Sequence, residues 1–288
     1  FFVIPIEYSQ IDKGLATRQE SSALRSILSR GGTDMDPYDE RDPVAGVLSF
    51  FGRMGLIEDM ASQLNDGRSV GIFGMRKIGK SSVLSNLRQK LSFPVAILNL
   101  QAAGKSDASI LFARILRHWV DQTLLKYQIH LDIPKSDIID EDDFVSLTVS
   151  ILEEIERQGN IPRLGLFLDE VELAVPRIGA RSEEMVQFIR FFRPLRGLIE
   201  EDGRLSLAVA SRIPSINQVS FVGEQQNPGY ALFKEYYLGP LDKSDCILMI
   251  GNLGAQVHFG FEDDSLDTIF QLTGGHPFLT RQYCSFLY

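Results

Sequence analysis

Short apolar runs alternate along the chain with stretches whose apolar positions recur every three or four residues. That alternation predicts strands and helices in turn. The runs at 68–73, 94–100, 163–168, 205–210 and 233–238 each have the length of one buried strand. Helical spacing fills 56–64, 82–91, 110–127, 144–157 and 183–199. The first of these helices stops at Asn65-Asp66-Gly67, a turn signal. From Leu241 onward the pattern is helical alone, with helices over 263–272 and 278–287 separated by Gly274-Gly275-His276-Pro277. The segments 130–143 and 218–229 read as loops. Ahead of all this lie a strand-like start at Phe1–Ile4, a helix over 22–28 and a polar linker over 31–43. No internal repeat is visible. Strands alternating with helices imply an α/β fold, a parallel sheet flanked by helices and followed by a small helical subdomain. The expected division is 1–36 as the tail of an upstream domain or linker, 37–240 as the α/β core, and 241–288 as the helical subdomain.

Composition narrows the class. At 288 residues and 44% hydrophobic, the chain has material for one large core and a smaller one. A net charge of −9 argues against non-specific nucleic-acid binding by the region as a whole, and leaves a local basic patch open. The two cysteines, Cys246 and Cys284, sit in apolar surroundings and read as core thiols, so a reducing cytoplasmic setting is the default. No apolar run approaches the ~20 residues of a membrane span. Phe1–Ile4 lacks the basic flank of a signal peptide. The missing initiator Met and the apolar helical end at Tyr288 suggest a piece of a longer protein.

The chemistry is carried by Gly74-Met75-Arg76-Lys77-Ile78-Gly79-Lys80-Ser81, which follows the first predicted strand. Two glycines separated by four residues, then Lys and Ser, form the P-loop pattern, and here it lies between a strand and a helix. Glycines let backbone N–H groups turn inward around phosphate oxygens, and the helix N-terminus adds partial positive charge. Lys80 is expected to reach the β and γ phosphates of ATP or ADP. Ser81 is expected to ligate Mg²⁺, and Lys77, Ile78, Gly79 and Ser82 to complete the cradle. About 90 residues on, the buried run Leu164–Leu168 ends in Asp169-Glu170. Asp169 is the second expected Mg²⁺ residue, and Glu170 the general base that polarises an attacking water. The fourth strand ends in Ser211-Arg212, and Arg212 is expected to touch the γ-phosphate. No guanine-reading NKxD element is present.

Further motifs resemble those of the STAND class of P-loop NTPases, the signal-transducing ATPases that include plant resistance proteins, apoptotic scaffolds and many bacterial defence proteins. Phe50-Phe51-Gly52-Arg53 looks like their FxGR element, preceded by Asp42-Pro43-Val44. Ala210-Ser211-Arg212 is similar to their strand-end phosphate sensor, with Ser where Thr is usual. Gly275-His276-Pro277 looks like their GxP element. The resemblance spans about residues 37–288 and implies a switch that binds and slowly hydrolyses ATP with Mg²⁺. Phe51, Arg53 and Pro277 would border the adenine. The implied partners are an upstream effector domain, a downstream sensor domain and further copies on activation, in a role such as bacterial defence signalling. The alternative is a ring-forming AAA+-like ATPase that remodels or loads onto nucleic acid. Arg193 and Arg196 occupy the region where ring ATPases place an arginine finger, but a solvated helix face is the preferred reading of them.

Overall fold

Five of the apolar runs form one parallel sheet: β1 (Ser69–Phe73), β2 (Val95–Asn99), β3 (Leu164–Asp169), β4 (Leu205–Ser211) and β5 (Phe233–Tyr237). Their order is β2-β3-β4-β1-β5, and every neighbouring pair is parallel. The computed structural model describes residues 36–39, 50–103, 107–176 and 180–288. The expectations for 1–35 and for Asp42-Pro43-Val44 fall outside the described residues. Central strands β1, β3 and β4 are buried at every position, which is why they read as continuous apolar runs. Edge strand β5 is only partly buried, with Phe233 and Tyr236 inside and Lys234 and Tyr237 exposed.

Helices flank this sheet: α1 (Met54–Asn65), α2 (Lys80–Lys90), α3 (Ala108–Tyr127), α4 (Glu141–Gly159) and α5 (Ser182–Gly197). Helix α3 packs on β2 and against α4 and α5. Its Trp119 is fully buried, and the indole Nε1 donates to Gly165 O at 2.6 Å. Phe112 stacks on Phe144 with ring centroids 4.3 Å apart.

Three segments differ from the sequence reading. Helix α4 starts at Glu141, three residues before Phe144, because Asp140 caps it and accepts from Asp143 N at 2.9 Å. Glu141, Asp142 and Asp143 then fill a first turn where the helix dipole favours anions. Helix α5 contains Pro194 and continues as a π-helical stretch over Leu198–Asp202. The expected loop at 218–229 holds a small antiparallel pair, Phe221–Val222 with Gln225–Gln226.

Helices α6 (Lys243–Ala255), α7 (Asp263–Thr273) and α8 (Pro277–Leu287) build a separate small core around Cys246, Ile250, Leu253, Ile269 and Cys284. Tyr38 and Phe51 belong to this core, although the sequence reading placed them with the sheet. Gly275, at φ 71°, makes the α7–α8 corner possible. A Cβ there would lie 2.2 Å from Leu241 O, the residue whose N–H donates to Gly275 O at 2.9 Å. No helix among the described residues is long and apolar enough to cross a membrane.

Candidate functional site

The loop between β1 and α2 delivers the site. Gly74 N donates to Ser211 O at 3.3 Å, so the loop leaves the sheet beside the tip of β4. Gly79 sits at φ 102°, and a Cβ there would lie 2.8 Å from Arg53 Nη1. No side chain caps α2, and its first turn holds no acid. The N–H groups of that turn are therefore left to bind an anion. Val83 N closes the first turn on Gly79 O at 3.0 Å.

Lys80 is buried, and its Nζ donates to Gly74 O at 3.0 Å and Met75 O at 2.9 Å. Burial holds its ammonium below the usual lysine range, while Glu172, Glu170 and Asp169 push the other way. Ser81 Oγ donates to Asp169 Oδ2 at 2.5 Å. Asp169 Oδ1 accepts from Glu170 N at 2.9 Å. Glu170 has a left-handed backbone, φ 58°, and opens the 3₁₀ turn Val171–Leu173. Its carboxyl is raised above the usual glutamate range, first by burial, then by the nearby charges of Glu172 and Asp169.

That left-handed step turns the chain so that Glu172 is buried at the tips of the strands. Its carboxylate accepts from Arg212 Nε at 3.0 Å and from Arg212 N at 3.2 Å. Strand β4 lies between β1 and β3, so Arg212 emerges between the P-loop and Asp169-Glu170. The structure thus brings Lys80, Ser81, Asp169, Glu170 and Arg212 to one crevice, at the carboxyl edge where open α/β sheets collect ligands. Glu172 is the member that sequence reasoning missed.

The residues named from the STAND resemblance fall on different elements. Arg53 Nη1 donates to Ile78 O at 2.8 Å and Nη2 to Gly239 O at 2.7 Å. Burial pushes its guanidinium down to about 10, and Asp245 partly offsets this. The Ile78 side chain is in the sheet core, so only its backbone faces the loop. The Lys77 ammonium lies 3.6 Å from the centroid of the Phe278 ring, which ties the loop to α8. Ser82 occupies the first turn of α2, and its carbonyl accepts from Asn86 Nδ2 at 2.7 Å. Pro277 is the first residue of α8, beside Phe278. Phe51 is buried in the helical core. His276 Nδ1 is buried with no hydrogen-bond partner among the described residues, an orphan next to Pro277.

The donor set suits a hard cation with a phosphate chain. A hydroxyl and a carboxylate in contact, with further acids nearby, supply only oxygen. Among the described residues no cluster of three His, Cys, Asp or Glu is built to hold an ion alone. The oxygen donors Ser81 and Asp169 fit the expected Mg²⁺, which keeps its waters and takes one or two carboxylates plus substrate phosphates.

Comparison with solved structures settles the architecture. A Walker-type ATPase from Pyrococcus abyssi matches with a TM-score of 0.64 at 12% identity, over 86% of this chain and 70% of that one. The chain has a P-loop NTPase fold. The ORC2 protein of Aeropyrum pernix, in its ADPNP–ADP complexes, matches with a TM-score of 0.52 at 17% identity, over 88% of this chain and 65% of that one. No protein-family model matches the chain, and no curated protein does.

Proposed function

We propose that this chain binds ATP with Mg²⁺ and hydrolyses it slowly, as a nucleotide-dependent switch of the STAND kind. The observation that carries the reading is the convergence of Lys80, the Ser81–Asp169 pair and Glu170 on an uncapped helix N-terminus. Adenine nucleotide is the preferred ligand because the ORC2 protein that shares the fold was solved with ADPNP and ADP. Lys80 exchanges its two loop carbonyls for phosphate oxygens. Ser81 and Asp169 would hold Mg²⁺, which would screen phosphate charge. Glu170 orients and deprotonates the attacking water, a role worth roughly a hundred- to ten-thousandfold in rate. Arg53 and Pro277 border the base.

The switch reading draws on the ties between the loop and the helical unit: Lys77 on Phe278, and Arg53 across Ile78 and Gly239. Occupancy of the loop bears directly on the unit that would signal. Upstream effector and downstream sensor domains, self-association and a defence role follow the STAND resemblance. The ring-forming reading needs an arginine offered to a neighbouring copy. Arg196 is held within its own chain by Glu200 and by the carbonyls of Pro228 and Tyr230, which removes it as a candidate, while Arg193 is exposed and is the residue on which the ring-forming reading would rest.

Thermal unfolding tests the reading. A hundredfold excess of MgADP over its Kd should stabilise the parent by about 2.7 kcal/mol. Lys80→Ala should abolish that shift, and an unchanged shift would move the nucleotide elsewhere. Glu170→Gln should keep ATP binding and lose turnover; equal turnover in the two proteins would remove the general-base role.

A further inference from the structure

We propose that Glu172 is a positioning residue that parks Arg212 and thereby sets how strongly the site prefers ATP over ADP. The inference rests on the nucleotide reading above and deepens it.

Two observations carry it. The Glu172 side chain is only 5% exposed, whereas that of Arg212 is 51% exposed, so a cation at the open crevice reaches inward to a buried acid. The carboxylate is held by two bonds of different kinds. The bond from Arg212 N is fixed to the strand tip, while the bond from Nε depends on the Arg212 rotamer. Arg212 can therefore swing away and leave Glu172 still anchored by the backbone.

A buried acid that loses its ion-pair partner is destabilised, and this opposes the swing. A γ-phosphate offers the guanidinium a stronger acceptor and draws it out. ADP offers none, so Arg212 stays with Glu172. The balance between these two acceptors is the nucleotide discrimination of the site, and the acid side of it is Glu172.

The experiment measures binding of fluorescent ADP and of a non-hydrolysable ATP analogue, with Mg²⁺, to the parent, Glu172→Gln, Glu172→Asp, Arg212→Ala and the Glu172→Gln/Arg212→Ala double variant. Glu172→Gln keeps the shape and removes the charge. It should raise the ratio of ATP to ADP affinity on the order of tenfold. Glu172→Asp draws the carboxylate back from Nε and should move the ratio in the same direction by less. That arm keeps the test open if the Gln variant folds poorly. In the Arg212→Ala background the Gln substitution should change neither affinity, the signature of a pair acting as one. A purely structural ion pair would weaken both nucleotides equally and keep doing so without Arg212, which overturns the proposal. Failure of the parent to bind either nucleotide overturns the nucleotide reading beneath it, and this inference with it.

Discussion

Arg53 is the side chain that joins most of the site's parts. It stands at φ 65° before α1, donates to the P-loop at Ile78 and to the β5–α6 connection at Gly239, and feels Asp245 of α6. A guanidinium can span two carbonyls in this way because its donors lie in a fixed fork; an ammonium is a single point. Replacing Arg53 by Ala removes two charge-assisted bonds at once. We expect a loss of about 2 kcal/mol in urea unfolding, in line with hydrogen bonds to charged groups. Arg53→Lys should recover less than half of it. Full recovery by lysine would mean that charge alone matters and that the fork geometry does not. Glu172 teaches the same lesson from the other side. The sequence shows a third acid after Asp169-Glu170, but nothing in it shows that Glu170 takes a left-handed backbone. Without that step a reader sees a solvated acid. With it, the acid is inside.

At the scale of elements, legibility followed burial. The three fully buried strands announced themselves as apolar runs, and the P-loop was unmistakable because its glycine spacing sits between a strand and a helix. Helix starts were less visible, because polar caps carry them and apolar periodicity does not. The first turn of α4 is Glu141-Asp142-Asp143, which apolar periodicity assigns to the preceding loop for that reason. The start of α3 is a second case and yields a test. Asp107 accepts from Ser109 N at 2.9 Å and from Gln187 Nε2 at 2.8 Å, so one carboxylate caps α3 and also ties it to α5. The Ser109 bonds, chiefly, hold its carboxyl below the usual aspartate range. A depressed folded value means stability that is present above the unfolded value and lost as pH falls through the folded one. Asp107→Ala should therefore cost about 1 kcal/mol at neutral pH. The gap between parent and variant should close as the solution is acidified below the ordinary carboxylate range. A gap independent of pH would assign the loss to packing and not to the cap.

Over the whole molecule, Tyr38 and Phe51 ahead of α1 belong to the small core. Tyr38 is buried among the helices of the small core, where its hydroxyl donates to Ile250 O at 3.2 Å. Arg281 of α8 returns the tie, donating from Nε to Tyr38 O at 3.1 Å and from Nη2 to Pro37 O at 3.3 Å. The chain then supplies Phe51 to the same core before Arg53 reaches the P-loop. The segment at 36–39 is thus fastened to the unit expected to move, and not to the sheet expected to stay. Apolar periodicity could not reveal this, since Tyr38 stands alone in a polar stretch. If the helical unit closes on the nucleotide, 36–39 must travel with it. Hydrogen exchange with and without MgADP measures this directly. Amides of α6, α8 and 36–39 should gain protection together, while β3 and β4 stay unchanged. Arg281→Ala should uncouple the strap, leaving the gain in α6 and removing it at 36–39. Protection at 36–39 that ignores nucleotide in the parent would break the link between site and strap, and any signal passed upstream would need another route.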